Sequence, residues 1–174
     1  MLVSPDDIAT AYRRIHRHVR RTPVMESGEG SFGLDQSVSL KLELFQHSGS
    51  FKARGAFNNL LSREVPAAGI AAASGGNHGA AVAYAARAIG KRADIFVPET
   101  SSPPKITKIR SFGANLHIEG KRYADAAEIC KRHREETGAI DIHAYDAVET
   151  IAGQGTVALE WGEQVPDLDT VLIA

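Results

Sequence analysis

The sequence predicts an α/β fold built on a parallel sheet, and two observations carry that expectation. From Gly69 to His143, short apolar runs alternate with longer stretches of helical periodicity: strand, helix, strand, helix, strand, helix, strand. A strand that returns to its own sheet through a helix pairs in parallel and crosses over right-handed. The helices are also punctuated, by Ser101-Ser102-Pro103-Pro104 at one start and by Gly90, Gly113 and Gly138 at three ends. Proline suits a first turn, and glycine suits the left-handed residue that closes a helix.

The elements follow in order. Ser4 is an N-cap, Pro5 belongs in a first turn, and Asp6 and Asp7 favour the positive end of a helix dipole. Ile8, Tyr12, Ile15 and Val19 then recur at helical spacing, and arginines 13, 14, 17, 20 and 21 fill the solvated remainder. His16 and His18 stand two apart, do not share a helix face and cannot chelate together. A Gly/Ser-rich stretch runs from Ser27 to Ser37, and Val38 to Leu44 alternates as a strand does. A helix is expected from Ser50 to Leu61. Beyond it the expected strands are 69–73, 94–97, 115–118 and 140–143, with helices at 78–89, 103–112 and 121–137. A helix at 151–164 and the apolar run Thr170 to Ala174, read as a buried parallel strand, come last. Ligands of a doubly wound sheet bind at the carboxyl ends of its strands. The loop expected after Ala174 would therefore be functional, and the chain reads as part of something longer.

Composition narrows the function classes. Hydrophobic residues make up 43% and charged residues 24% of the 174, so a packed core is expected rather than disorder. Lysine plus arginine is 20 against 21 acids, which argues against nucleic-acid and membrane-surface partners. The sequence contains no apolar run of membrane-spanning length, and a cytoplasmic protein is expected. A single cysteine, Cys130, excludes an internal disulfide and a multi-cysteine zinc site. It shares a face with Tyr123, Ala126 and Ala127 in helix 121–137 and is expected in the core. His117, His143 and Trp161 are expected to pack. Asp141 and His143 lack both a third ligand and a nucleophile, so no metal is expected.

Two glycine-bearing turns open helices. Ser74-Gly75-Gly76-Asn77-His78-Gly79 follows the 69–73 strand, where backbone N–H groups would bind an anion, carboxylate or phosphate. Ser48-Gly49-Ser50-Phe51-Lys52-Ala53-Arg54-Gly55-Ala56 is the second. An arbitrary lysine is a solvated surface residue. Lys52 would sit at a positive helix end and is a candidate for a depressed pKa and Schiff-base chemistry, with a surface lysine as the alternative.

Thr22-Pro23-Val24, Lys41-Leu42-Glu43 with the Lys52 block, the Asn77 loop and Ile151-Ala152-Gly153-Gln154-Gly155-Thr156 together resemble the fold-type II (tryptophan synthase β-like) pyridoxal-phosphate enzymes. The resemblance is strongest to the threonine/serine dehydratase and serine racemase branch. It implies a parallel-sheet small domain, 66–146, flanked by parts of a truncated larger α/β domain, 1–65 and 147–174. It implies pyridoxal 5'-phosphate held by Lys52 as a Schiff base, with Phe51 along its face and Asn77 on its 3'-oxygen. Ser74, Gly75, Gly76 and His78 would bind the carboxylate of an amino-acid substrate, although a helix-start histidine can instead only shape the loop. Arg54 is either a phosphate neighbour or one half of an ion pair, and Gln154 and Gly153 would serve the larger domain.

One departure bears on the reaction. Racemase-like members carry an acid/base serine where this sequence has Gly75, which has no proton to give. Elimination needs one base, so the resemblance implies a dehydratase releasing a 2-oxo acid and ammonia from L-threonine or L-serine. A racemase, a cysteine synthase-like β-replacement enzyme and a non-catalytic fragment are the alternatives. The resemblance also implies a homo-oligomer when complete. The glycine-rich phosphate loop and the partner of the pyridine nitrogen would lie beyond residue 174, which leaves the chain alone inactive.

Overall fold

A computed structural model describes residues 3–173. Helix α1 (Pro5–Ile15) starts as its sequence demands: the Ser4 hydroxyl accepts from the Asp7 N–H, and the Asp7 carboxylate accepts from the Ser4 N–H. Strands β1 (Val24–Ser27) and β2 (Val38–Lys41) form an antiparallel pair in the register Val24 to Lys41. Helix α2 (Lys52–Leu61) follows, then β3 (Ile70–Ala73), α3 (Asn77–Ala88), β4 (Ala93–Val97), α4 (Pro103–Ser111), β5 (Asn115–Ile118), α5 (Tyr123–Thr137), β6 (Ile140–Asp141) and α6 (Val148–Gln164). The order β5-β4-β3-β6 is parallel throughout, which is the predicted sheet. Gly90, Gly113 and Gly138 all take positive φ at the helix ends.

Fully buried Ile70, Ile95 and Ile142 meet Phe57, Ile15 and Ile109 in one cluster, so α1, α2 and α4 share a core with the sheet. Helices α2 and α6 cross where Gly55 faces Gly153. A Cβ at Gly153 would lie 2.7 Å from the Gly55 Cα and 2.8 Å from the Arg54 carbonyl oxygen. Backbone cannot step aside as a side chain can, so Gly153→Ala should destabilise the fold by roughly 1–3 kcal/mol. Urea unfolding at equilibrium reads this directly. A midpoint unchanged from wild type would show that the two helices have room to part.

Several expectations need correction. The alternating run stops being a strand at Lys41, because Glu43–Phe45 turns into a short 3₁₀ segment. The last strand of the sheet covers only Ile140 and Asp141, and α6 begins three residues early, at Val148. Residues 170–173 form no strand: they pair with nothing among the described residues, and Leu172 and Ile173 are 83% and 89% exposed. Ala174 lies outside the described residues. Cys130 is buried beside Ala126 as expected, but Tyr123, the first residue of α5, is exposed over the sheet's carboxyl edge. His117 stacks on Phe96, whereas His143 is exposed. Trp161 is partly buried, and its indole N–H donates to the Ser39 hydroxyl.

Candidate functional site

The β3–α3 turn, the segment after β6 and the start of α2 converge at the carboxyl edge of the sheet. They enclose a cleft of about 410 Å³ lined by Lys52, residues 73–78, Tyr123, Ala144 and Tyr145. This is where a parallel sheet presents its ligands. Lys52, Ser74, Gly75, Gly76, Asn77 and His78 all reach it, so two motifs well separated in the sequence share one cavity.

The β3–α3 turn is closed tightly. A Cβ at Gly79 would lie 2.2 Å from the Ser74 carbonyl oxygen, so only glycine allows α3 to start this close to β3. The Ser74 hydroxyl accepts from the Gly76 N–H. Asn77, first residue of α3, is exposed, and its amide makes no hydrogen bond to the described residues. A Cβ at Gly75 would meet the Ser101 hydroxyl at 2.2 Å, so a serine at 75 needs Ser101 to move. The turn therefore offers N–H groups, one hydroxyl and one free amide around open space.

Lys52 is the first residue of α2, and its ammonium folds back across the cleft. Nζ donates to the Ala144 carbonyl at 3.0 Å and lies 4.1 Å from the centre of the Tyr145 ring. The centre of the Phe51 ring is 5.2 Å from Nζ, but Phe51, 41% exposed, is not among the residues that line the cleft. Burial lowers the pKa of the amine below the ordinary lysine value. The direction matches the sequence expectation, but the cause is desolvation rather than the helix end.

His78 is placed differently from the rest. Its ring is buried, and Nε2 donates to the Ile142 carbonyl at 2.7 Å, which leaves Nδ1 without a partner among the described residues. Burial depresses its pKa to about 4, so the ring is neutral near neutral pH. The imidazole is thus tied to the segment after β6, and its backbone lies at the N-terminal end of α3. Because the unfolded ring titrates near the ordinary value of 6.5, the unfolded chain binds more protons between about pH 6.5 and 4. Stability should fall as pH drops through that window, by up to roughly 3 kcal/mol from this group. Urea midpoints measured from pH 7 to 4.5 check it, since His78→Asn should flatten the slope. A variant with the wild-type slope would assign the loss to other groups.

Arg54 resolves into an ion pair. It is 0% exposed and forks onto Glu43 (2.7 and 2.9 Å) and Glu160 (3.0 and 3.1 Å), facing away from the cleft. Lys41 joins through Glu160, and the Thr22 N–H donates to the same carboxylate. Gln154 accepts from the Gly55 N–H, and with Gly153 it belongs to the α2–α6 crossing. Three lining residues carried no sequence signal: Tyr123, Ala144 and Tyr145 lie outside every motif, and only the fold brings them beside Lys52. Among the described residues, no cluster of three or more His, Cys, Asp or Glu could hold a metal, and no helix is long and apolar enough to cross a membrane.

The family model described as pyridoxal-phosphate dependent enzyme matches residues 15–174. The chain is similar to an L-threonine ammonia-lyase of Thermotoga maritima, at 39% identity over 99% of this chain and 43% of that protein. Among solved structures, maize serine racemase superposes with a TM-score of 0.89 at 36% identity, covering 97% of this chain and 52% of that one. A serine racemase from Dictyostelium discoideum does so with a TM-score of 0.84 at 32% identity, covering 96% and 55%. The chain spans about half the length of the relatives it matches.

Proposed function

The chain belongs to the pyridoxal-phosphate dependent enzyme family, in its fold-type II architecture, and from that premise we propose a dehydratase (ammonia-lyase). In this proposal the protein eliminates water from L-threonine or L-serine and yields a 2-oxo acid and ammonia. The observation that carries it is the Lys52 amine, its pKa lowered by burial, facing Asn77 and the Ser74–Gly76 turn across one cleft.

The residues present fit the cofactor. A lysine of lowered pKa suits capture of an aldehyde, and a free amide at Asn77 suits donation to a ring oxygen. A glycine turn whose N–H groups open a helix suits a carboxylate. When bound, pyridoxal phosphate supplies the electron sink that makes the Cα proton acidic. The protein's part is orientation and proton transfer. Lys52 would hold the cofactor, and its Nζ would also be the group that takes the Cα proton of the substrate. Phe51 would lie beside the cofactor, and Asn77 would fix its orientation. Ser74 and the N–H groups of Gly75 and Gly76 hold the substrate carboxylate. His78 supports that turn from behind through Ile142, and its backbone N–H joins the anion site.

The division into a small domain, 66–146, between parts of a larger one belongs to the proposal, as do a cytoplasmic setting and a homo-oligomer. So does the inactivity of the 174 residues alone. Among the described residues Lys52 is the one lysine or arginine lining the cleft, and it is already committed to the aldehyde, so a phosphate would find no second cation there.

Gly75 favours elimination over racemisation. It offers no second proton donor, and Ser101 fills the space that a side chain there would need. With L-serine in deuterated water, the protein in its full-length form should release 2-oxo acid with little D-serine. D-serine accumulating as fast as the 2-oxo acid would overturn the dehydratase reading in favour of the racemases.

A further inference from the structure

The turn after β6 is held by bonds that involve no part of the Tyr145 side chain. His78 pins the Ile142 carbonyl at its start. His143 Nδ1 donates to the Tyr145 carbonyl at 2.6 Å, and the Ala147 N–H donates to the same oxygen at 2.7 Å. The Thr150 hydroxyl donates to the His143 carbonyl, and Asp146 takes a left-handed φ of 58° to complete the turn. The backbone is fixed, yet the Tyr145 ring at its crest is 63% exposed. Its hydroxyl makes no hydrogen bond to the described residues. The ring does nothing for the core, but it sits 4.1 Å from the Lys52 amine.

We propose that Tyr145 is a positioning residue for the Lys52 amine, a cover that holds Nζ against the Ala144 carbonyl and has to leave before an aldehyde is attacked. The proposal rests on the reading of Lys52 as the aldehyde-capturing amine. Capture requires a neutral nitrogen whose lone pair attacks the carbonyl carbon. The new C–N bond forms, and water leaves with the carbonyl oxygen and two protons from nitrogen. In the structure Nζ points an N–H at Ala144 and presents its charge to the π face of Tyr145. Both contacts favour the protonated, docked amine, so both oppose attack until they are given up. A substrate or cofactor that displaces the ring therefore releases the nucleophile in the same movement.

The test uses formaldehyde and cyanoborohydride on the purified chain without added cofactor, with methylation of each lysine followed by peptide mass spectrometry. Formaldehyde is small enough to need no binding site, so it reports only how available each amine is. Tyr145→Ala should raise the rate at Lys52 about fivefold, equivalent to ~1 kcal/mol of lost cover. Tyr145→Phe keeps the ring and should stay within about twofold of wild type. Lys41 is the internal control: its side chain is 2% exposed and paired with Glu160, so it reacts only if the fold opens. A Lys52 rate unchanged in Tyr145→Ala, or a gain matched at Lys41, would overturn the proposal. Labelling wild type with pyridoxal phosphate and borohydride tests the reading of Lys52 separately. Failure there leaves the formaldehyde comparison valid as a statement about the cover.

Discussion

Lys52→Ala should abolish the borohydride-fixed pyridoxyl adduct and, in the full-length protein, cut 2-oxo acid release from threonine by at least about 10³-fold, because one side chain carries both the covalent hold and the proton transfer. The expectation follows from placement. Of seven lysines, Lys52 is the one that lines the cleft. Lys41 is locked against Glu160, and Lys91 donates to the Val65 carbonyl on another part of the surface. Burial keeps more of the Lys52 amine neutral at a given pH than an exposed lysine would be. Adduct mapping by mass spectrometry separates the specific site from random surface labelling. Equal stoichiometry of labelling in wild type and Lys52→Ala would remove Lys52 from the chemistry.

The sheet was legible because each of its elements is locally consistent. The apolar runs Ile70–Ala73 in β3 and Ile95–Val97 in β4 have to be buried on both faces, and each intervening helix ends on a glycine that takes positive φ. The alternation of local signals left little freedom for another topology. Strand β1 was not legible, because Val24–Ser27 is half exposed and exists only through pairing with β2. The run at 170–173 shows the converse: apolar sequence alone makes no strand when no neighbour offers hydrogen bonds. Tyr123 failed for a related reason. It is in register with Cys130 on the helix, but it occupies the first position of α5, where the helix has already left the core.

The site divided along the same line. Lys52, Asn77 and the Ser74–Gly76 turn were legible because their motifs are contiguous. Tyr145 was not, because a lone tyrosine in a loop carries no pattern. Glu160 was the most deceptive residue. A glutamate inside a 17-residue helix normally faces water, yet this one is 1% exposed. The available signal lay elsewhere, in Lys41 and Glu43, two charges alternating with three leucines from Leu40 to Leu44 and therefore pointing to one side.

Glu160→Ala should cost about 3–5 kcal/mol of stability, the range for breaking a buried ion pair on one side only. Glu160 and Glu43 balance Arg54 and Lys41, two anions against two cations, in a space that water hardly reaches. Removing one carboxylate leaves Lys41 with the Thr22 carbonyl and Gln164 as its remaining partners, and takes one fork from Arg54. Burial by itself would push the Glu160 carboxyl up. The hydrogen bonds from Arg54 and Lys41 outweigh it, so the pKa lies below the ordinary glutamate value. A depressed folded pKa means that this stabilisation is present above the unfolded value and is lost as pH falls through the folded one. Glu163→Ala is the matched control, since its pair with Arg21 is about half exposed and should contribute under ~1 kcal/mol. Equilibrium urea unfolding of both variants decides the matter, and equal losses would mean that the network is no more than a surface pair. The consequence reaches the cleft as well. Arg54 lies two residues from Lys52 on the first turn of α2, and Glu160 holds that turn to α6. Glu160→Ala should therefore also weaken pyridoxyl labelling of Lys52, although residue 160 never touches the cleft.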